Sequence, residues 1–263
     1  MAFKHENLKK NKELFECADN LYHLIDTLLI VFNQSSNNFR PSRIPKYKNT
    51  FLYLFNTSIR HYKSIDLLCQ EGHGMSALIL MRSLLENLIT TKYIILNKNP
   101  NELAQRFEEY KWLLMRKQLK YWKTNKQVES KKLQKSILSK EPEILAKVKE
   151  YKVNFKVKNG LSTWSGKSVE RMAEVVGMSN EYNLVYRMCC LISHPSMLGI
   201  IQEVKRTEEY TYFSSDPSYC NIITNMILTI EYMHTFLSVY NDLFELGKKQ
   251  ELDLFLKKYK VGF

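Results

Sequence analysis

The chain has 263 residues, 44% of them hydrophobic, with a formal net charge of +12 and a pI near 9.3. That much apolar material can bury a substantial core, so the fold needs no disulfide staples. The basic excess suits polyanions such as RNA, DNA or an anionic membrane surface, although Lys and Asn abound throughout and compositional bias competes as an explanation.

The N-terminal stretch MAFKHENLKKNKELFECADN has no apolar run of the secretory kind. The five cysteines, Cys17, Cys69, Cys189, Cys190 and Cys220, are odd in number and irregularly spaced, and four lie in apolar helical surroundings. Reduced, buried thiols in a cytoplasmic protein are the expectation.

Leu14, Ala18, Leu21, Ile25, Leu28 and Phe32 form a helical stripe, and SSNNFRPSRIPKYKNT after it has the polar, proline-broken texture of a loop. A second helix is predicted from Asn49 to Gln70, and Gly72 and Gly74 punctuate the chain after it. The third, Met75 to Leu96, is apolar on most faces, which marks a central helix. It is the most lipid-like segment, but Arg82, Glu86 and Lys92 argue for a buried helix rather than a membrane span. A fourth helix is predicted from Asn99 to Thr124, capped by Asn99 or Asn101, with Phe107, Tyr110, Leu114 and Leu119 inward.

Basic residues are frequent from Lys111 to Lys135, with Tyr121 and Trp122 among them. A solvated helix face is one reading; a strip of phosphate contacts through Arg116, Lys117, Lys120 and Lys123 is the other. Val153, Phe155 and Val157 alternate as in a short strand or an extended arm. In WSGKSVERMAEVVG, Ser165 or Ser168 caps a helix that Gly177 stops. Glu181 to His194 is the next helix, IIQEVKRTEEYTYF is extended or a hairpin, and Pro217 to Leu246 is a long last helix before a basic amphipathic tail. No repeat period and no dividing linker appears. The expected fold is all-α, a multi-helix bundle with at most a short β-hairpin or extended arm. It forms one domain over 1–263, comprising an N-terminal helix and loop (1–48), a motif-bearing core (49–197) and a C-terminal part (198–263).

Several chemistries lack their motifs. The Gly166-Lys167-Ser168 triplet is no phosphate loop, because Gly160 stands one residue too far away and position 161 is leucine. The histidines show no H-E-x-x-H spacing and the cysteines no C-x-x-C, so no metal or cofactor is expected, and G-x-S-x-G is missing. Vicinal Cys189 and Cys190 point about 100° apart on a helix, which disfavours a bond between them.

The segment VYRMCCLISHPS is different. Arg187 and His194, seven residues apart, fall within about 20° of one helix face, and Pro195 places the imidazole at the carboxyl end, where the helix dipole favours its protonated form. Such a histidine can move the ribose 2′-hydroxyl proton while the arginine stabilises phosphorane oxygens, a division of labour that needs no metal. The competing reading pairs the arginine with a buried carboxylate and makes the histidine a helix cap. Arg82 and Glu86, at i and i+4 in the most apolar helix, either lock helices together, Glu86 to Arg187 for example, or tune a polar pocket.

The order RSLLE, then Trp164 with GKSVERMAEVVG, then YRMCCLISHPS, resembles an uncharacterised bacterial family catalogued as a domain of unknown function, over roughly Asn49 to Met197. A broader resemblance is to the HEPN superfamily, all-α domains with an arginine, four to six residues, and a histidine near a helix end. Arg187 and His194 fit that pattern, while Met188 stands where a polar residue often follows the arginine, and the chain is longer than a minimal domain of that kind. What the resemblance implies is a dimeric, metal-independent endoribonuclease, a toxin or antiviral effector, with Arg187 and His194 catalytic. Arg82, Glu86, Trp164, Lys167 and Tyr186 would then support the pocket and the lysine-rich helix would hold RNA. A cognate antitoxin or a defence-system partner protein would be its companion. The other expectation is a non-catalytic nucleotide- or protein-binding sensor, or a structural subunit of a defence system.

Overall fold

A computed structural model describes residues 4, 6, 8–9, 11–35, 44–124, 131–157, 163–193, 204–206, 211–213, 217 and 220–259. Four long helices make the body: α1 (Lys12–Ser35), α2 (Lys46–Gln70), α3 (Gly74–Ile95) and α11 (Ile222–Phe244). Each contributes an inward stripe at helical spacing, as in Ala18, Leu21, Ile25 and Leu28 of α1 and Phe51, Phe55, Tyr62 and Ile65 of α2. Ala77, Leu78, Met81, Leu84, Leu85, Leu88 and Ile89 of α3 are wholly buried, as its all-round apolarity requires. This central helix packs against α2 and α11, and against α8 (Val169–Val175) and α10 (Arg187–Ser193) on its remaining sides. At one end of the body Phe51, Phe55, Phe236, Tyr240 and Phe244 form a continuous aromatic cluster.

The glycines act where the sequence placed them. Gly72 adopts φ 84°, and the amide of His73 then reaches back to the carbonyl of Leu68 at 2.7 Å, closing α2. Gly177 at φ 72° closes α8 through Met178 and Ala173 in the same way. Gly74 serves a different need, since a Cβ there would stand 2.2 Å from the backbone oxygen of Cys220. Its own carbonyl accepts from Asn225 at 2.6 Å, so α3 and α11 are joined where their backbones nearly touch.

Helix α12 (Lys249–Tyr259), the amphipathic tail, docks on α11 through buried His234, whose Nε2 lies 3.0 Å from the Leu252 carbonyl oxygen and whose ring stacks on Phe255. Within the ambiguous stretch after α10, β1 (Val204–Arg206) and β2 (Thr211–Phe213) pair antiparallel, Val204 opposite Phe213. The all-α class therefore holds.

Several expectations require correction. The predicted helix Asn99–Thr124 is two, α4 (Pro100–Glu109) and α5 (Lys111–Thr124), parted at Tyr110. Leu114, expected inside, is 45% exposed. The alternation Val153, Phe155, Val157 is not extended over 153–154, because α7 (Glu141–Asn154) runs through it. Ile144, Val148 and Tyr151 share a helical face that is buried, and burying that face outweighs a three-residue alternation. Between α5 and α7 lies α6 (Lys131–Leu138). Among the described residues the helix long and apolar enough to cross a membrane is α11 rather than α3. Met226, Met233, Phe236 and Leu237 of α11 are wholly buried in the bundle, as expected of a core helix.

Candidate functional site

One line along α3 organises the polar residues. Arg82, Glu86 and Tyr93 project within about 40° of one another around its axis, and three different partners meet them. The first is Tyr186, delivered by an irregular helix: a single turn α9 (Ser179–Glu181) passes into a π-helical turn over Tyr182–Tyr186, then into α10. The amide of Arg187 bonds the carbonyl of Tyr182, the i to i+5 link that defines such a turn. Turns of this kind concentrate at functional sites.

The Tyr186 hydroxyl sits between the two α3 residues. It accepts from Arg82 Nη2 at 3.2 Å and donates to Glu86 Oε2 at 3.2 Å. Burial pushes its phenol up to about 12, with Arg82 opposing and Glu86 reinforcing the rise, so the proton stays on and the donor role toward Glu86 is secure at neutral pH. In return the bond to Tyr186 holds the Arg82 guanidinium above the usual arginine range. Arg82 and Glu86 thus meet through a phenol, which resolves the cost of placing them in so apolar a helix.

The tyrosine rings continue the arrangement. Tyr182 and Tyr186 stack with centroids 4.9 Å apart and planes 19° from parallel. The Arg82 guanidinium lies 5.0 Å from the Tyr186 ring centroid and Arg187 lies 5.6 Å from that of Tyr182. Each ring of the stacked pair thus carries one arginine. Arg187 itself is on the surface, its side chain 56% exposed, and Nη2 is 2.6 Å from Oε1 of Glu170 on α8. The expected Arg187–Glu86 lock is corrected accordingly: Arg187 pairs with Glu170, and Glu86 accepts from Tyr186. Among the candidates, His194 lies outside the described residues.

The far end of the α3 line holds Trp164 and Lys167. Trp164 sets its indole edge-on to Tyr93 at 6.1 Å and to Phe107 of α4 at 5.0 Å, while Lys167 Nζ lies 5.5 Å from the Tyr93 ring centroid. The Ser165 hydroxyl, hydrogen-bonded to both the amide and the carbonyl of Lys167, fixes this turn. Ser168 then caps α8 by accepting from the Arg171 amide. Trp164 and Lys167 therefore build the approach to α8, whose Glu170 pairs with Arg187.

The lysine-rich helix belongs to a separate arm. Helices α5 and α7 run antiparallel, Tyr110 beside Tyr151 at one end and Lys123 paired with Glu141 at the other. Arg116, Lys117 and Lys120 are exposed, whereas Lys123 is engaged by that glutamate.

Glu170, Tyr182, Tyr93 and Phe107 are site residues that reading along the chain missed. The four-residue spacing of Tyr182 and Tyr186 is a local signal for the stack, whereas Glu170, 17 residues from Arg187, has none. Burial pushes the nearby Cys189 thiol up to about 12, which disfavours the thiolate that nucleophilic attack needs. Among the described residues no group of three or more His, Cys, Asp or Glu side chains is placed to hold a metal ion.

No curated protein and no solved structure matches the chain significantly. Residues 48–211, from the start of α2 to β2 and including the α3 line, the arm and the turn bearing Arg187, match the profile of one family. The three motifs RSLLE, WSGKSVERMAEVVG and YRMCCLISHPS all fall inside that span, and the chain belongs to the family of unknown function DUF5677.

Proposed function

We propose that the chain is a HEPN-like, metal-independent endoribonuclease acting at the surface around Arg187. The observation that carries this reading is the position of Arg187: an exposed guanidinium backed by a stacked tyrosine pair, with a second arginine on the other ring. Planar, always-charged donors held by ring stacking suit the oxygens of a phosphodiester. His194, seven residues on, takes the proton of a ribose 2′-hydroxyl. The 2′-oxygen then bonds to phosphorus, the bond to the 5′-oxygen breaks, and that oxygen takes up a proton. The products are a 2′,3′-cyclic phosphate and a free 5′-hydroxyl. Glu170 must release Arg187 for phosphate to bind, and an exposed ion pair of this sort opposes that by only about 0–1 kcal/mol. Arg82, Tyr186 and Glu86 hold the platform, and the α5 arm holds RNA backbone. A homodimer, working as a toxin or antiphage effector with a cognate antitoxin or defence partner, completes the proposal.

Total RNA incubated with the chain in EDTA is expected to yield fragments ending in cyclic phosphate. Arg187→Ala and His194→Ala abolish them, with the helical circular dichroism of each variant unchanged. Intact RNA under the wild-type protein would overturn the enzymatic reading. One observation favours a second reading, a non-catalytic sensor of nucleotides or partner proteins: Arg187 already has a carboxylate partner in Glu170. That reading gains if a nucleotide raises the melting temperature of the wild-type chain without being consumed.

A further inference from the structure

The net charge is concentrated in one place. Residues 110–157 hold 14 Lys and Arg against 4 Glu, which is +10 of the chain's +12. These residues include the arm made by α5, α6 and α7, and no acidic residue occurs in α5 or α6. On α5, Arg116, Lys120 and Lys123 project within about 60° of one another, and Lys117 borders them. Arg116 and Lys120 are one turn apart, about 6 Å along the axis.

An aromatic ring stands beside this basic face. Tyr121 is 58% exposed, and its neighbour Trp122 lies edge-to-face with it, ring centroids 6.0 Å apart. Exposed Leu114 lies two turns before it on the same side, with Lys117 between them. Tyr121 and Leu114 therefore present apolar surface to solvent beside these cations.

We infer that this arm is a docking surface for single-stranded RNA, in which Tyr121 stacks on a base while Arg116, Lys117 and Lys120 hold phosphates. The inference rests on the reading that the chain acts on RNA, and it adds the strand state and a recognition residue outside the Arg187 surface. Charge complementarity selects a polyanion. The exposed ring selects an unpaired strand, because base faces are open to stacking only when they are not packed inside a duplex. The wide apolar face that a membrane-surface helix needs is spent inward on α5, where Leu119 is buried and Trp112, Met115 and Trp122 are half-buried.

The test is fluorescence anisotropy on the full chain. The probes are a labelled 2′-O-methyl oligoadenylate, which lacks the hydroxyl that cleavage needs, and the same strand annealed to its complement. The single strand is expected to bind at least about tenfold more tightly than the duplex, and Tyr121→Ala to lose about tenfold on the single strand while Tyr121→Phe keeps it. Lys117→Ala with Lys120→Ala should lower the slope of log affinity against log salt by about 1.4, two phosphate contacts on a single strand. Equal binding of both probes, or an unchanged affinity in Tyr121→Ala, overturns the docking site while leaving cleavage of total RNA to decide the activity. Binding to phosphatidylserine vesicles with no binding to either probe also overturns it. Failure of the activity itself would appear separately, as intact total RNA from a chain that still binds the oligoadenylate.

Discussion

Replacing Tyr186 by Phe removes one oxygen atom and tests the linkage on which the site is built. That oxygen accepts from Arg82 and donates to Glu86, each at 3.2 Å, and the residue is 7% exposed. A hydrogen bond to a charged group contributes about 1.5–3 kcal/mol. Both bonds here are long, and Arg82 and Glu86 are half-buried, so water can replace part of what is lost. The phenyl ring remains to stack on Tyr182 and to lie under Arg82. The expected loss is therefore about 1–3 kcal/mol for the two bonds together, or roughly 3–10 °C in Tm for a chain of this size. Urea denaturation of the wild type, Tyr186→Phe, Glu86→Gln and the double variant closes a cycle, and the coupling between positions 86 and 186 should be about 1 kcal/mol. Tyr186→Ala, which also removes the stack, should cost more, about 3–5 kcal/mol. A Tyr186→Phe stability within about 0.3 kcal/mol of wild type, with no coupling to Glu86, would refute the reasoning. It would mean that Arg82 and Glu86 satisfy each other or water equally well without the phenol.

Two further outcomes follow from the fold. Gly74→Ala places a methyl group 2.2 Å from the Cys220 backbone oxygen, so α3 and α11 must separate; a loss of at least about 1–3 kcal/mol is expected by thermal unfolding. Burial lowers the pKa of His234 from 6.5, so the unfolded chain binds a proton there before the folded one does. Stability should then fall as pH drops through about 6.5 toward the lowered value. His61, lowered by burial and by Arg60, acts in the same direction, whereas the buried carboxyl of Asp66, raised by desolvation, acts oppositely at more acid pH. His234→Gln should flatten the slope between about pH 7 and 5, measured as Tm across the series.

What can be read along a chain is what the physics makes local. Helical periodicity, a capping serine at 165 or 168, of which 168 is the cap, and the stops at Gly72 and Gly177 involve neighbours within about one or two turns, and are legible locally. Arg82 and Glu86 were legible for another reason: two charges in so apolar a helix need partners, whatever those partners are. Tyr186 is that partner, 104 residues from Arg82 in the chain, and nothing near Arg82 names it. Separation along the chain likewise hid Glu170, 17 residues away, from Arg187, and hid Tyr93 and Phe107 from Trp164.

Where two local signals conflicted, packing chose between them. The alternation at Val153, Phe155 and Val157 and the helical spacing of Ile144, Val148 and Tyr151 were both written into one stretch, and α5 supplied the surface that made the helix the lower in free energy. The π turn is the clearest case. Its extra residue changes no residue type and leaves the composition of the segment helical. Whether Tyr186 turns inward while Arg187 stays in solvent is set by the fit of that turn against α3. Reading along the chain yields the long helices, the stops at Gly72 and Gly177 and the demand that Arg82 and Glu86 find partners, because those depend on contacts a few residues apart. Packing settles who answers whom, because hydrogen bonds, ring stacks and ion pairs between helices depend on positions in space that the chain reaches only once it has folded.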